Sequence, residues 1–278
     1  MKICSELPLD ILKKDNLRYN DYDFVLFHLF ASNPEYHDYF MKMRQDYPER
    51  LMIFDNSAYE FYVKGEELDL NKYLDAIVEL QPDFYIVPDT LMDFSETIDK
   101  YYEFNRLIIE RWGWHSPIMG KSLCVAQGNT PEELTRCLCK YYECSETAVA
   151  IPFHNSFFKD AMGIEDMAKW FTDYRMKVRD DHRYAAGRWA WFLENRGLLR
   201  LFEHVHLLGS HWPKEKMLYK DKVNTFDTAY PIKCAFEGYE LENEPTKPNI
   251  LIDDILTKET DKHTEILIDI NMTKFKNY

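Results

Sequence analysis

Residues 50–60 read "RLMIFDNSAYE", an apolar run that ends on the carboxylate of Asp55. The same arrangement recurs in "FYIVPD", which ends on Asp89, and in "VNTFD", which ends on Asp227. A carboxylate at the end of a core strand is costly to bury unless it is paired or used. The three stretches therefore predict short buried strands whose last residues either cap a following helix or carry chemistry.

Apolar runs of this length alternate with longer segments of helical period, which is typical of β/α units around a parallel sheet. The strand candidates are "FVLFHLF" (24–30), "RLMIFD" (50–55), "DFYIVPD" (83–89), "IMGKSLCVAQG" (118–128), "AVAIPFH" (148–154), "HVHLLG" (204–209) and "VNTFD" (223–227). The helix candidates are 34–47, 71–80, 95–112, 131–143, 164–196 and 213–219, with Asn71, Ser95 and Thr130 as candidate N-caps.

These seven strands are one fewer than a (β/α)8 barrel needs. The N-terminal segment or "NILIDDIL" (249–256) could supply the eighth strand. We predict an α/β fold, an irregular TIM-type (β/α)8 barrel, over residues 1–241. Residues 242–278 are mixed in charge and are predicted to form a C-terminal appendage packed on the barrel.

The chain has 278 residues, of which 46% are hydrophobic, and this is enough for a sizeable core. It carries 34 Lys and Arg against 48 Asp and Glu, a formal net charge of −14. Such an acidic balance argues against nonspecific binding of polyanions. Any nucleic-acid partner must therefore be bound by a local basic surface.

The six cysteines occur in a chain without a signal peptide or a bilayer-length apolar run, which predicts a cytoplasmic protein with reduced thiols and no membrane partner. The trio "CLCKYYEC" (137–144) has helical spacing and lacks the paired ligands of a closed zinc site, so we predict no metal. Neither G-x-G-x-x-G nor G-x-x-x-x-G-K is present, so no cofactor is predicted.

In a parallel barrel the ligand site lies at the carboxyl ends of the strands. Carboxylates, an amide, histidines and small residues follow the predicted strands. In chain order they are Asp55-Asn56-Ser57, Pro88-Asp89, Ala126-Gln127-Gly128, Pro152-Phe153-His154, Leu208-Gly209-Ser210-His211 and Asp227-Thr228. Such a set predicts a catalytic or ligand-binding site at this end of the barrel.

Five of these places, "FDNSAYE", "VPDT", "VAQGNTPEEL", "HLLGSHWPKE" and "TFDTAYP", resemble in the same order the motifs of the tRNA-guanine transglycosylase superfamily. The resemblance runs from about Met52 to Pro231. Two features depart from the family. Ser57-Ala58 replaces the glycine pair of the first motif, and only Cys234 remains where the zinc-binding cysteines follow the nucleophile. The chain is more similar to zinc-free phage-type enzymes that place 7-deazaguanines in DNA.

The resemblance implies a pentosyltransferase that needs no cofactor and replaces guanine by a 7-deazaguanine such as preQ0. Asp227 matches the family nucleophile, which attacks C1′ and forms a glycosyl-enzyme ester. Asp55 matches the second essential aspartate, a general acid/base for the departing and arriving bases.

The resemblance also implies a set of base-binding residues: Asp89, Gln127, Gly128, Tyr59, Leu208 and Gly209. Asp89 and Gln127 match positions that bind the purine edge, and Gly128 matches a close approach of the backbone to the base. Tyr59 and Leu208 match the side chains that cover the two faces of the base.

Each residue also has a purely structural interpretation. Asp55 and Asp227 could cap helices, Asp89 could belong to a Pro-Asp turn, and Gln127-Gly128 could form an ordinary β-to-α turn. Histidines in strands and loops are more often packed or solvated than catalytic. We assign no chemical role to His154, His204, His206 and His211.

A base in a polymer must be flipped out while its backbone is bound. Basic residues interleaved with Trp and Tyr after residue 164, and lysines before Asp227, predict a phosphate-binding surface, which we call the basic rim. Its residues are Arg175, Lys177, Arg179, Arg183, Arg188, Lys214 and Lys216. The alternative is a surface helix whose aromatic residues face the core and whose arginines are solvated.

The predicted partners are DNA and a 7-deazaguanine base, in the host cytoplasm if the protein is phage-encoded, and homodimerisation stays open. One alternative is the same exchange in tRNA. Another is a noncatalytic barrel subunit that supports an active partner, although such a subunit would need neither Asp55 nor Asp227. A hydrolase of free nucleosides would not need the basic rim.

Overall fold

The computed structural model describes residues 1–153, 156–159, 180–210, 212, 214–241, 243 and 248–278. Several residues discussed above lie outside these ranges. They are Arg175, Lys177 and Arg179 of the basic rim, the histidines His154 and His211, and residues 164–179 of the predicted helix 164–196.

Eight short strands form one sheet in the order β1-β8-β7-β6-β5-β4-β3-β2, and every described pairing is parallel. The strands are β1 (Lys2–Cys4), β2 (Asp23–Leu26), β3 (Met52–Asp55), β4 (Phe84–Ile86), β5 (Ser122–Val125), β6 (Ala148–Ile151), β7 (His204–Leu207) and β8 (Thr225–Asp227). With helices between the strands, this is a nearly closed, irregular TIM-type (β/α)8 fold. The predicted fold class is confirmed.

The eighth strand comes from the N-terminal segment. β1 pairs with β8, and Cys4 lies beside Asp227 in the register. The other candidate, residues 249–256, instead contains a short helix at Asp253–Leu256.

Helices follow most of the strands, and two 3-10 turns lie at Gly113–His115 and Ser156–Lys159. The described helices are α1 (Leu9–Tyr19), α2 (Phe27–Ser32), α3 (Pro34–Asp46), α4 (Ala58–Lys64), α5 (Leu70–Leu80), α6 (Phe94–Trp112), α7 (Pro131–Glu143), α8 (Asp180–Leu199), α9 (Glu215–Tyr219), α10 (Tyr230–Phe236), α11 (Asp253–Leu256) and α12 (Lys262–Asn277).

The helix caps show where local sequence is informative. Thr130 caps α7 as predicted, and its side chain accepts the backbone N–H of Glu133. Asn71 and Ser95 are wrong as caps, because both lie inside their helices. Asp69 and Asp93, both in extended backbone, accept the first free N–H groups of α5 and α6.

The run "FVLFHLF" (24–30) is only partly a strand. The strand ends at Leu26, and α2 begins at Phe27. A continuous apolar run does not distinguish a buried strand from a buried helix. Helix α2 packs Phe27 and Phe30 edge-on against the ring of Phe54 in β3.

The chain divides into two compact units. The central unit comprises Tyr22–Pro152 and Gly197–Val205 and contains strands β2 to β6. Its core includes Tyr73, whose ring packs near Phe54 and Phe104. The Tyr73 hydroxyl lies 3.1 Å and 2.8 Å from the carbonyls of Phe54 and Ile86, so it joins the ends of β3 and β4.

The terminal unit comprises Met1–Asp21, Phe153–Arg196 and His206–Tyr278. Within it α12 packs on α10 and α1. The buried Asn271 of α12 donates to the carbonyls of Pro231 and Tyr239 and accepts the N–H of Leu241. The predicted boundary at residue 241 stays a prediction, but the C-terminal helix belongs to the same unit as β1 and β8.

None of the helices in the described part of the chain combines the length and the apolar character that crossing a membrane requires.

Candidate functional site

The turn after β3 fixes Asp55. Its Oδ2 accepts the N–H of Ser57 at 2.8 Å, and Ser57 adopts a left-handed backbone with φ 58°. The hydroxyl of Ser57 lies 2.9 Å from Nδ1 of the His28 ring, and it also accepts the backbone N–H of His28. The N-cap residue of α4 is Ser57, so Asp55 does not cap this helix. Sequence reasoning missed His28, which fixes the turn.

Asp89 lies in a buried hydrogen-bonded group with Asn56 and Gln127, which we call the Asp89 cluster. The Asn56 amide donates to Oδ1 at 2.8 Å, and the Gln127 amide donates to Oδ2 at 2.7 Å. The Gln127 carbonyl accepts the N–H of Met92. Three strand-end residues of the central unit are thus brought together, and both ends of the Gln127 amide are occupied.

Two effects act on the Asp89 carboxyl group. Burial raises its pKa above the ordinary range, and this effect outweighs the N–H donors of Asn56 and Gln127, which lower the pKa. A carboxylate has about four lone-pair positions, of which the two amides take one on each oxygen. Asp89 can therefore still accept hydrogen bonds from a ligand.

The raised pKa predicts a pH-dependent contribution of Asp89 to stability. The folded chain holds this proton more tightly than the unfolded chain does. The stabilisation is therefore complete below about pH 4 and is lost as the pH rises through the raised pKa. The free energy of unfolding of the wild type relative to Asp89→Asn should fall across this range in urea titrations. Asp99→Asn, at an exposed position on α6, is the control, and a pH-independent difference for Asp89→Asn would contradict the prediction.

A cavity of 470 Å³ in the central unit borders this cluster. Asn56 and Asp89 lie in its wall, together with Phe61, Pro88 and Lys100. Its volume falls within the range of about 300–1,000 Å³ that is usual for small-ligand pockets. The cavity thus offers a carboxylate, an amide and an aromatic ring to a small ligand.

Asp227 ends β8 in the terminal unit and is almost fully buried. Its Oδ1 accepts the N–H of Gly209 at 3.1 Å and lies 3.0 Å from Nε2 of His206. Nδ1 of His206 lies 2.8 Å from the hydroxyl of Thr225. We call these four residues the Asp227 cluster. In the described part of the chain no hydrogen bond to Asp227 Oδ2 is found.

Asp227 is not a helix cap either. The helix that follows, α10, has Ala229 at its N-cap, and the hydroxyl of Thr228 accepts the N–H of Tyr230. His206, to which sequence reasoning gave no role, is fully buried beside the carboxylate. The parallel register that pairs His206 with Thr225 brings it there, and only strand pairing reveals that contact.

Three predicted base-binding residues have different surroundings. A Cβ on Gly128 would lie 2.7 Å from Cβ of Glu133 and 2.8 Å from the N atom of Leu134, so close packing of α7 alone requires glycine there. Tyr59 is half exposed on α4, and Leu208 is half-buried after β7. Their contact with a base stays a prediction.

Two residues must be removed from the basic rim. Arg188 is fully buried and forms an ion pair with Glu215, so it cannot bind a phosphate at the surface. Lys216 is also buried, and its Nζ donates to the carbonyl of Lys276 at 3.0 Å. Burial lowers the pKa of Lys216 to about 8. Arg183 and Lys214 are half-buried, and phosphate binding by them stays a prediction.

The described aromatic residues between these basic residues pack inside the terminal unit. Trp191 is buried and lies near the ring of Phe158. Trp189 packs edge-on against Tyr219. For this part of α8 the aromatic residues face the core, as in the alternative interpretation, but Arg188 is buried and not solvated as that interpretation also requires.

Within the described ranges, no group of three or more His, Cys, Asp or Glu side chains could hold a metal ion. Of the "CLCKYYEC" cysteines, Cys137 is buried, Cys139 is exposed and Cys144 is half-buried. Burial raises the pKa of Cys137 to about 11. Cys137 lies inside α7, and Cys144 is the C-cap residue of the same helix, so this stretch is helical as its spacing predicts.

No protein-family model matches the sequence, and a search of curated proteins finds no significant match. The resemblance to the transglycosylases therefore depends on the residues and their order alone.

Proposed function

We propose that this protein is a base-exchange glycosyltransferase that replaces guanine in DNA by a 7-deazaguanine such as preQ0. The observation that carries the proposal is the set of aspartates at the carboxyl ends of β3, β4 and β8. Asp55 and Asp227 end their strands, Asp89 follows β4, and all three strands belong to one parallel sheet, in the order of the family motifs. None of the three aspartates caps a helix.

In the first displacement Asp227 is the nucleophile. Its carboxylate attacks C1′ of the target nucleotide, the C1′–N9 bond breaks, and its electron pair leaves with guanine. Asp55 gives a proton to the departing base. The intermediate is a glycosyl ester of Asp227, and the carboxylate stabilises the oxocarbenium-like transition state that precedes it.

The second displacement reverses these roles. Asp55 takes the proton from N9 of the incoming 7-deazaguanine, and N9 attacks C1′. The ester bond breaks and Asp227 leaves as a carboxylate. Two inversions retain the configuration at C1′. One glycosidic bond replaces another, so the exchange needs no external energy source.

The Asp89 cluster supports recognition of a guanine-like base. The carboxylate of Asp89 can accept hydrogen bonds from N1–H and the exocyclic amine of the base, which guanine shares with 7-deazaguanines. The adjacent cavity of 470 Å³ has room for such a base. The buried Asn56 holds the carboxylate in place, a role that sequence reasoning did not assign.

DNA is the first choice of polymer because the sequence lacks the family's zinc-binding cysteines, which help the bacterial tRNA enzymes to hold their substrate. Exchange in tRNA is the second candidate. The chemistry is identical in both cases, so only the polymer distinguishes them.

The test is incorporation of labelled guanine, and separately of labelled preQ0, into duplex DNA and into bulk tRNA. We expect label in DNA with wild-type protein and none with Asp227→Ala. Label in tRNA alone would select the second candidate. No label in either polymer, from protein whose folding is verified by circular dichroism, would contradict the proposed function.

A further inference from the structure

A fully buried ion pair lies in the terminal unit between α8 and α9. Nε of Arg188 is 2.9 Å from Oε1 of Glu215, and neither side chain is exposed to solvent. Removing two charges from water costs free energy that their attraction repays only with good geometry, and apolar residues of similar volume often serve packing as well. The pair is therefore better explained by a role in fixing the orientation of neighbouring groups than by packing alone.

Two further nitrogens of the Arg188 guanidinium bind backbone carbonyls. Nη1 donates to the carbonyl of Leu208 at 2.9 Å, and Nη2 donates to the carbonyl of Gly209 at 2.8 Å. The guanidinium carbon lies 4.9 Å from the centre of the Phe153 ring. A planar group with donors in a fixed fork can hold two successive carbonyls in one orientation, which a lysine cannot do.

Glu215 holds the next residue. Its Oε2 accepts the hydroxyl of Ser210 at 2.5 Å. The hydroxyl of Thr228, next to Asp227, donates to the carbonyl of Ser210 at 2.6 Å. Three successive residues after β7, Leu208 to Ser210, are thus fixed by side chains from α8, from α9 and from Thr228, the residue after β8.

This fixed backbone contacts Asp227 directly, because the N–H of Gly209 donates to Asp227 Oδ1 at 3.1 Å. Gly209 has φ 61°, a left-handed conformation that side chains disfavour. We propose that Arg188 is a positioning residue, which with Glu215 orients the Gly209 N–H so that Asp227 Oδ1 is held and Oδ2 is directed at the sugar. The role of Asp227 in this inference rests on the proposed function.

The contact has a specific spectroscopic probe. Of the nine glycines only Gly209 follows a leucine. Protein labelled with ¹³C′-leucine and ¹⁵N-glycine therefore gives a single carbonyl-coupled amide signal, that of Gly209. Hydrogen bonds to a carboxylate are stronger than those to an amide oxygen. Asp227→Asn should therefore shift this signal, and the shift would verify the hydrogen bond between the Gly209 N–H and Asp227.

The main variant is Arg188→Met/Glu215→Leu, which removes both buried charges together and avoids leaving one unpaired. We expect it to fold, to shift the Gly209 signal and to make this amide exchange with solvent faster by on the order of 10-fold. Arg188→Lys keeps the charge beside Glu215 but loses the fork, and should show the same change. Arg196→Met, at an exposed position on the same helix, is the matched control and should leave the signal unchanged.

The catalytic readout separates positioning from substrate binding. In both Arg188 variants the covalent intermediate should form about 100-fold more slowly, because a small displacement of a reacting group has an effect of this size. The KM for DNA should stay within about twofold, because the substituted side chains, Arg188 and Glu215, are fully buried and cannot contact the polymer. A purely structural role would instead lower the amount of folded protein and leave the rate per folded molecule unchanged.

The outcomes distinguish the two proposals. An unchanged Gly209 signal in folded Arg188→Lys and in the double variant would overturn the positioning role, whatever the activity. The other informative result combines two observations: the Gly209 signal shifts in the Arg188 variants as expected, but the wild-type protein forms no covalent intermediate with DNA or tRNA. This result would contradict the proposed function, while the positioning of Asp227 by Arg188 and Glu215 would stand.

Discussion

Asp227→Asn is expected to abolish the covalent protein–DNA intermediate and to slow base exchange by about 10⁴-fold or more, as loss of a nucleophile does in other covalent enzymes. The amide has the size of the carboxylate, and its oxygen can still accept the N–H of Gly209 that now bonds to Oδ1. The fold should therefore persist while the nucleophile is lost. The intermediate is detected as a denaturant-resistant protein–DNA complex, or by intact-protein mass.

The matched control is Asp221→Asn, the same chemical change at an exposed position before β8. Asp221 has φ 64°, a conformation that asparagine accepts readily, so this variant should exchange bases at the wild-type rate. An Asp227→Asn protein that still forms the covalent complex would show that another residue is the nucleophile. In that case the Asp227 cluster would be a structural feature of the terminal unit.

The three strand-end aspartates could be located from sequence because each directly follows a short apolar run. A charged residue after such a run marks the place where the buried strand ends. β3 and β8 end at Asp55 and Asp227 as predicted, and Asp89 follows β4 closely. The C-terminal helix α12 was missed. Its buried side includes Asn271, and a polar residue in an apolar stripe hides the helical period.

Arg188 shows why the rest of the site could not be predicted. Among basic and aromatic neighbours it has the features of a phosphate ligand. Its partners, Leu208, Gly209 and Glu215, lie 20 to 27 residues further along the chain. An arginine is almost never fully buried without a partner, and that partner is defined only by the tertiary structure. The same reason applies to His206 and Thr225, which the strand register brings together.

Gly187→Ala is expected to destabilise the protein by about 3 kcal/mol, the upper part of the usual range for overpacking. A Cβ at this position of α8 would lie 1.7 Å from the carbonyl oxygen and 2.5 Å from the carbonyl carbon of Phe158. Both atoms belong to the backbone, so no side chain can rotate to make room. Phe158 is itself fully buried, so the segment Ser156–Lys159 and α8 must separate.

The same helix provides the control, because Gly197 also lies in α8 and a Cβ there would meet no atom within 4 Å. Gly197→Ala should stabilise the protein by about 0.5–1 kcal/mol through helix propensity alone. With about 2–4 °C per kcal/mol for chains of this class, the melting temperatures of the two variants should move in opposite directions. Equal melting temperatures would contradict the close approach of α8 to Phe158. Since Gly187 precedes Arg188, a loosened α8 should also shift the Gly209 amide signal, which connects this packing contact to the orientation of Asp227.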